Sequence, residues 1–533
     1  MFKLLSLHLS GHPQLGSLDI SFVDENEIRQ DKKPYSSIII GPNGSGKSFI
    51  LRVIIEIFRN IEKYQSEGYL RDEVLFQYTF QIRYIIDKDI FDIITNRIII
   101  HNRKNGSKTL IIAYKNRPDS EPLFIGTGFP LKNEKYEIHP DELKLPQRLI
   151  ASSVMLNDRF IFSNSLPNDF YQYLGVRRTT SLTSTQSFSK KTVKYLFEAS
   201  TSETFLPDLS DILEFLNYQK YFTVYYRPRY RKLFFSGKLS FEEFSNFFNK
   251  WWDSGFTSRK AENPSWSKFS YDFLMSENQE RLNSLIEFLN RISLDNNVLI
   301  KKNRSKLIEI DLFNLMLNPI ELSFIDDLVK LDIINFDSIH IKKKENEISI
   351  EQASSGEYHF IISLLSIYSK IKENSLILID EPEISLHPNW QMKYINFLKQ
   401  IFKKYSNCHF IISTHSHFLV SDLEGNNSSV LTLSRSSDDK IISKLLTGIN
   451  TYGWSAEQVL LTVFKTASSR NFYLTQELEK IFELISLKKD DKDSIHQIQK
   501  AMEQLNEIDI SGLTDIDPLK DIILTINKKF KNA

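Results

Sequence analysis

The chain has 533 residues, 67 Lys+Arg against 67 Asp+Glu, 41 % hydrophobic residues and a single cysteine, Cys408. This is the composition of an ordinary folded protein, long enough for roughly three domains or one large elaborated one. Zero net charge excludes a uniformly basic nucleic-acid coat, and one cysteine excludes a disulfide framework or a Cys-rich zinc site.

Apolar runs such as Ser36–Ile40 and Ile98–Ile100 fall far short of the roughly 20 residues a membrane span requires. The first residues carry too short an apolar stretch for a secretory signal. We expect no membrane segment and a cytoplasmic, reducing location.

In chain order, Phe2–Ile20 alternates apolar and polar residues, as half-buried strands do. Ser36–Ile40 reads as a buried strand and Phe49–Phe58 as a helix. The Ile-, Tyr- and Phe-rich stretch 70–115, with Asn105-Gly106 as a hairpin turn, predicts an antiparallel β layer. Arg148–Val154 predicts another buried strand. From about 160 to 340, aromatic and polar residues mix at helical spacing, as in 218–226, Phe241–Trp252 and Leu282–Ile292. This predicts a mostly helical insertion without sustained heptads. Buried strands return at Ser375–Asp380 and His409–Ser413. After Trp454 the period nears 3.6 (Leu474, Leu478, Ile481, Phe482, Ile485), which predicts an amphipathic helical tail.

Between the strand at 36–40 and its helix lie Gly41, Pro42, Asn43, Gly44, Ser45, Gly46, Lys47 and Ser48, a G-x-x-x-x-G-K-S loop. Glycines let backbone N–H groups close on phosphate oxygens at the positive end of a helix. Lys47 supplies a point charge for the β and γ phosphates of ATP, and Ser48 a hydroxyl for Mg²⁺. The strand at 375–380 ends in Asp380 and Glu381, and Pro382 and Glu383 follow. Asp380 can serve the metal. Glu381, pointing the other way, can poise a water as general base.

Ser354, Ser355 and Gly356 open a helix over Tyr358–Ile371, 24 residues before Asp380; alone, they read as a plain helix cap. His415, 35 residues after Asp380, ends the strand at 409–413, where a phosphate-sensing role is expected. His409 and His417 read as structural. Basic clusters at Arg177-Arg178, 227–232, Lys301–Arg304 and Lys342–Lys344 leave nucleic-acid contact open, against a plain solvated face.

These motifs, in this order, resemble the ABC-type ATPase head of the SMC/RecF/OLD class over about 1–160 and 340–450. The loop 41–48 resembles Walker A and 376–383 Walker B with the catalytic Glu381. Residues 353–357 resemble the ABC signature, 384–388 the D-loop and 413–416 the H-switch. Ser355 stands where the family has a glycine. Asn157 and Asp158 are the candidates for the Q-loop. The SLHPNWQ stretch (385–391) and 451–460 further resemble the PtuA ATPases of Septu and retron-associated anti-phage systems.

The resemblance implies an α/β fold: a P-loop mixed sheet with an antiparallel β layer, a helical insertion and a helical C-terminal tail. It divides the chain into 1–160 and 341–450 (the head), 161–340 (the insertion) and 451–533 (a partner-docking tail). It implies ATP hydrolysis with Mg²⁺ between two heads closed head-to-tail, in a homodimer or higher even oligomer. Ser354, Ser355 and Gly356 of one head would face the nucleotide of the other. It also implies a separate HNH-type, PtuB-like nuclease, with a reverse transcriptase and its multicopy single-stranded DNA in retron versions. We expect no nuclease in the chain itself. A nucleotide-gated scaffold with little turnover and a RecF-like repair ATPase are the alternatives.

Overall fold

Three sheets organise Met1–Tyr452 in this computed structural model. The structure describes residues 1–463 except 25–32, 68–77, 88, 100–106, 117–134, 164–167, 178–184, 201, 254–263, 278, 303–304, 316, 345, 422, 424–426, 437, 447–450, 452–453, 455–457 and 461–462. Gly453–Ala533 forms a second compact unit. The helical reading of 464–533 lies outside the described residues, as does the Asn105-Gly106 turn.

The central sheet has seven strands, in the order Ile441–Leu446, Ser428–Arg435, Tyr35–Ile40, His409–Thr414, Leu376–Asp380, Leu149–Ser153, Tyr171–Gly175. All neighbours run parallel except the Ile441–Leu446 edge. The strands predicted at 36–40, 148–154, 375–380 and 409–413 are all here, buried at every position. Helices cover both faces of a parallel sheet, so its strands read as unbroken apolar runs. Register pairs Asp380 with Ser413 and with Ser153, and Thr414 with Ile40. The carboxyl ends of four strands therefore reach one edge together, the place where open α/β sheets bind ligands.

The predicted antiparallel layer is a six-stranded sheet in the order Gly16–Ser21, Phe2–His12, Thr79–Ile86, Asp89–Ile99, Ser107–Asn116, Lys135–Ile138. The helix Lys47–Glu67 shares one apolar core with both sheets. Its Phe58 meets the rings of Phe2 and Tyr84 from the antiparallel layer. Ile50, Ile54 and Ile57 on the same helix are fully buried. The loop before this helix is thus held by packing along its length.

The insertion departs from the expectation. It carries helices, among them Thr185–Ala199, Phe241–Asp253, Gln279–Leu294 and Pro319–Lys330. It also builds a five-stranded antiparallel sheet in the order Leu299–Lys302, Ser305–Asp311, Phe222–Pro228, Ile334–Lys343, Asn346–Ser349. The stretch 218–226, expected to be helical, contributes the middle strand, Phe222–Pro228. Phe222, Val224, Tyr225 and Tyr226 are buried, and the strand pairs with a neighbour on each side. A strand covered on both faces loses the alternation that betrays a strand in sequence. Tyr171–Gly175, placed beyond the head boundary at 160, is the seventh strand of the central sheet.

The helix Ser355–Lys370 packs against Thr185–Ala199 of the insertion. Ser189 and Tyr358 hydroxyls lie 2.8 Å apart, Thr192 and Ser366 hydroxyls 2.7 Å, and Lys370 donates to Glu198 at 2.6 Å. No described helix is long and apolar enough to cross a membrane.

Candidate functional site

The loop 41–48 joins the strand Tyr35–Ile40 to the helix Lys47–Glu67. Gly44 and Gly46 have φ of +77° and +90°, a region glycine alone enters without steric cost. A Cβ on Gly46 would come within 2.6 Å of the Leu15 side chain. Arg435, not foreseen from sequence, donates to the Gly44 carbonyl at 2.7 Å and holds the crest of the loop.

Lys47 is buried, and its ammonium donates to the carbonyls of Gly41 (2.9 Å) and Pro42 (3.3 Å). The same nitrogen lies 3.3 Å from His415 Nδ1. On the other side of the ring, His415 Nε2 lies 3.2 Å from Glu381 Oε1. An ammonium only donates, so Nδ1 accepts and Nε2 carries the proton given to Glu381. Lys47, His415 and Glu381 thereby form one chain. Burial lowers the Lys47 ammonium to about 8, while Glu381, Asp380 and Glu383 work against that fall. The hydrogen bond from His415 holds the Glu381 carboxyl below its ordinary value against the effect of burial. Glu381 itself sits at φ +48°, its N–H bonded to the Ser413 carbonyl at 3.0 Å. A non-glycine residue there stores on the order of 1 kcal/mol or more of strain, and turns Glu381 away from Asp380.

Ser48 Oγ donates to Asp380 Oδ1 at 3.1 Å, and Ser413 Oγ donates to the same oxygen. Asp380 Oδ2 is buried with no hydrogen-bond partner among the described residues. Burial raises the Asp380 carboxyl to about 6, against the hydrogen bonds from Ser413 and Ser48. A buried carboxylate with a spare oxygen beside a serine hydroxyl fits a small hard cation such as Mg²⁺.

Glu383 is the residue sequence reasoning passed over. Its Oε1 accepts from Thr414 Oγ1 (2.8 Å), His415 N (2.7 Å) and Ser416 N (3.2 Å). Burial raises its carboxyl, opposed by those hydrogen bonds. The only signal was its place three residues after Asp380 at the strand end.

The signature residues divide. Ser354 caps the helix Ser355–Lys370 in a reciprocal pair with Glu357, and Ser354 and Ser355 are exposed. Gly356 is buried: a Cβ there would stand 2.3 Å from the Ser385 carbonyl oxygen. Gly356, expected to face nucleotide, lets the loop 384–388 close against its own helix.

The oxygens of Asp158, a Q-loop candidate, are engaged within the chain. They are taken by Tyr173 (2.6 Å), Arg177 (2.6 and 3.0 Å) and the Phe160 N–H (3.0 Å). Asn157 beside it is exposed. Several members of the basic clusters are paired within the chain. Arg177 serves Asp158; Arg227 pairs with Asp337 at 2.5 Å, Arg229 with Asp332, and Lys343 with Glu357 at 2.9 Å. Tyr225 and Tyr226 are buried, so they offer no stacking platform. Arg178, Asn303 and Arg304 lie outside the described residues.

The Retron Vc95 probable ATPase of Vibrio cholerae serotype O1 biovar El Tor is 26 % identical over 440 residues, covering 77 % of this chain and 69 % of that protein. The Septu protein PtuA of Bacillus thuringiensis is 28 % identical over 194 residues. That alignment covers 33 % of this chain and 46 % of PtuA, so the matched part spans about half of the relative's length. Among solved structures, the SMC head domain from Thermotoga maritima aligns at 10 % identity and a TM-score of 0.31, over 84 % of this chain and 99 % of that one. The AAA ATPase domain family model matches residues 18–420, more than half of the sequence, and the chain belongs to that family.

Proposed function

We propose that this protein is the ATP-hydrolysing subunit of an anti-phage defence system, and that its nucleotide state governs a nuclease carried on a separate chain. The observation that carries the reading is the convergence of Lys47, His415 and Glu381 beside the Ser48–Asp380 pair, from three separate segments of sequence. The likeness to retron and Septu ATPases supports the defence context.

In this reading the loop 41–48 binds the triphosphate of ATP through backbone N–H groups, and Lys47 exchanges its carbonyl partners for phosphate oxygens. Ser48 and Asp380 would hold Mg²⁺, which when bound neutralises charge on the β and γ phosphates. Glu381, kept ionised by His415, takes a proton from the attacking water. His415 senses the terminal phosphate. Exposed Ser354 and Ser355 present the helix Ser355–Lys370 to the nucleotide of a second copy, so ATP joins two heads in an isologous pair. The partner would be an HNH-type nuclease docked on the tail or the insertion, with a reverse transcriptase and its single-stranded DNA in a retron version.

A second reading has one observation in its favour. Ser355 in place of glycine makes the signature suboptimal, as a nucleotide-gated scaffold with slow turnover would have it. Purification with the native genomic neighbours, with and without residues 452–533, tests the first reading. A nuclease that co-purifies and is lost on truncation supports it. A bare homodimer with DNA-stimulated hydrolysis would replace it with a stand-alone DNA-processing ATPase. Turnover of the wild type no faster than that of Glu381→Gln would select the scaffold.

A further inference from the structure

We propose that Glu383 and Gln391 are positioning residues for His415, together clamping the loop 413–416 to the loop 383–388. The proposal rests on the reading of the site as an ATPase.

The SLHPNWQ stretch supplies half of the clamp. His387 caps the helix Pro388–Ile401, its ring accepting from the Asn389 N–H. Gln391 stands on the first turns of that helix. Its Nε2 donates to the Leu386 carbonyl at 2.8 Å and to the Glu383 carbonyl at 3.5 Å. Its Oε1 accepts from the Ser416 hydroxyl. One amide side chain therefore ties the loop beside Gly356 to the residue after His415.

Glu383 supplies the other half. Three donors from three consecutive residues, Thr414, His415 and Ser416, converge on its Oε1. The His415 backbone is fixed by this carboxylate, and with it the origin of the imidazole that bridges Lys47 and Glu381. A charge-assisted acceptor holding successive N–H groups is a strong local restraint.

Glu383 is not a second general base. Its Oε1 already accepts three hydrogen bonds, and its Oε2 is buried with no partner among the described residues. Glu381, by contrast, keeps part of its side chain in solvent. The clamp also runs onward. Ser385, at φ +67°, turns its carbonyl onto Gly356. His415, which reads the nucleotide of one half-site, is thus joined through Glu383 and Gln391 to the helix that serves the other.

The test uses the full-length protein and three variants, Glu383→Ala, Glu383→Gln and Gln391→Ala. Two quantities are measured: kcat and KM for ATP, and the rate of diethyl pyrocarbonate labelling at His415 by peptide mass spectrometry. A misplaced His415 is expected to cost Glu383→Ala roughly 10- to 100-fold in kcat with KM little changed, and to speed His415 labelling several-fold. Gln391→Ala moves both readouts the same way by less. Glu383→Gln keeps an acceptor oxygen and recovers most of the loss.

Unchanged kcat and labelling in both alanine variants would overturn the proposal. So would a Glu383→Gln enzyme as slow as Glu383→Ala with normal His415 labelling, since that result assigns Glu383 a charge role in the reaction. Should Glu383→Ala not fold, half-buried Gln391 still decides. Should the wild type hydrolyse nothing, the ATPase reading fails, while His415 labelling still tests the clamp.

Discussion

Ser48 donates its hydroxyl to Asp380 across 3.1 Å, joining the end of the phosphate loop to a strand 332 residues later. The second oxygen of Asp380 is buried and free of partners among the described residues. If Asp380 holds magnesium as proposed, a proton would compete with the ion for this carboxylate, whose pKa burial has moved up to about 6. Mg²⁺-dependent binding of a fluorescent ATP analogue is expected to strengthen as pH rises through about 6, and Asp380→Asn to lose that dependence. A flat pH profile in the wild type would refute the assignment.

The same shift has a consequence for stability. A carboxyl whose folded pKa lies above its ordinary 3.8 favours the folded state at low pH, and that advantage is lost as pH rises through about 6. In the nucleotide-free protein, Asp380→Asn should raise the melting temperature above pH 6, by an equivalent of about 3 kcal/mol, and leave it unchanged below 3.8. Thermal scans across that window decide it.

Glu381→Gln keeps the shape of the site and removes the base. We expect hydrolysis to fall by about 100-fold or more, ATP binding to persist, and a nucleotide-bound closed dimer to accumulate. Sedimentation velocity with and without ATP reads the dimer. Identical sedimentation would sink head-to-tail closure, unless other surfaces hold the dimer, in which case crosslinking across the site replaces the measurement.

Gly356→Ala forces a methyl group to 2.3 Å from the Ser385 carbonyl oxygen, so the loop 384–388 must move. The expected loss is about 1–3 kcal/mol of stability, as for overpacking elsewhere. The drop in hydrolysis should exceed what unfolding explains, because the loop is tied to His415. Ser355→Gly, at an exposed position, should change turnover with little effect on stability. Denaturant melts and steady-state rates on both variants separate the two roles.

Asp158→Ala leaves Arg177, which is largely buried, without its carboxylate. Removing one partner of a buried pair costs about 3–5 kcal/mol. The variant should therefore lose stability while the folded fraction keeps its ATP affinity. A loss of affinity at unchanged stability would return Asp158 to the nucleotide site.

The amino-acid order alone determined the chemistry at the sheet edge. Lys47, Ser48, Asp380, Glu381 and His415 follow buried strands, and such strands are apolar runs ended by a few polar residues. The strands at 36–40, 375–380 and 409–413 were legible for that reason. Tertiary structure decided what depends on partners distant in sequence. Phe222–Pro228 is a strand because residues 308–311 and 334–341 pair with it on either side, against a local pattern that reads as helix. Asp158 belongs to Tyr173 and Arg177, and Gly356 to Ser385. Glu383 finds its three donors only when the strand ending at Thr414 lies parallel to the one ending at Asp380. Hydrophobic periodicity records which face of an element is buried; it carries no record of which residue from another element meets that face.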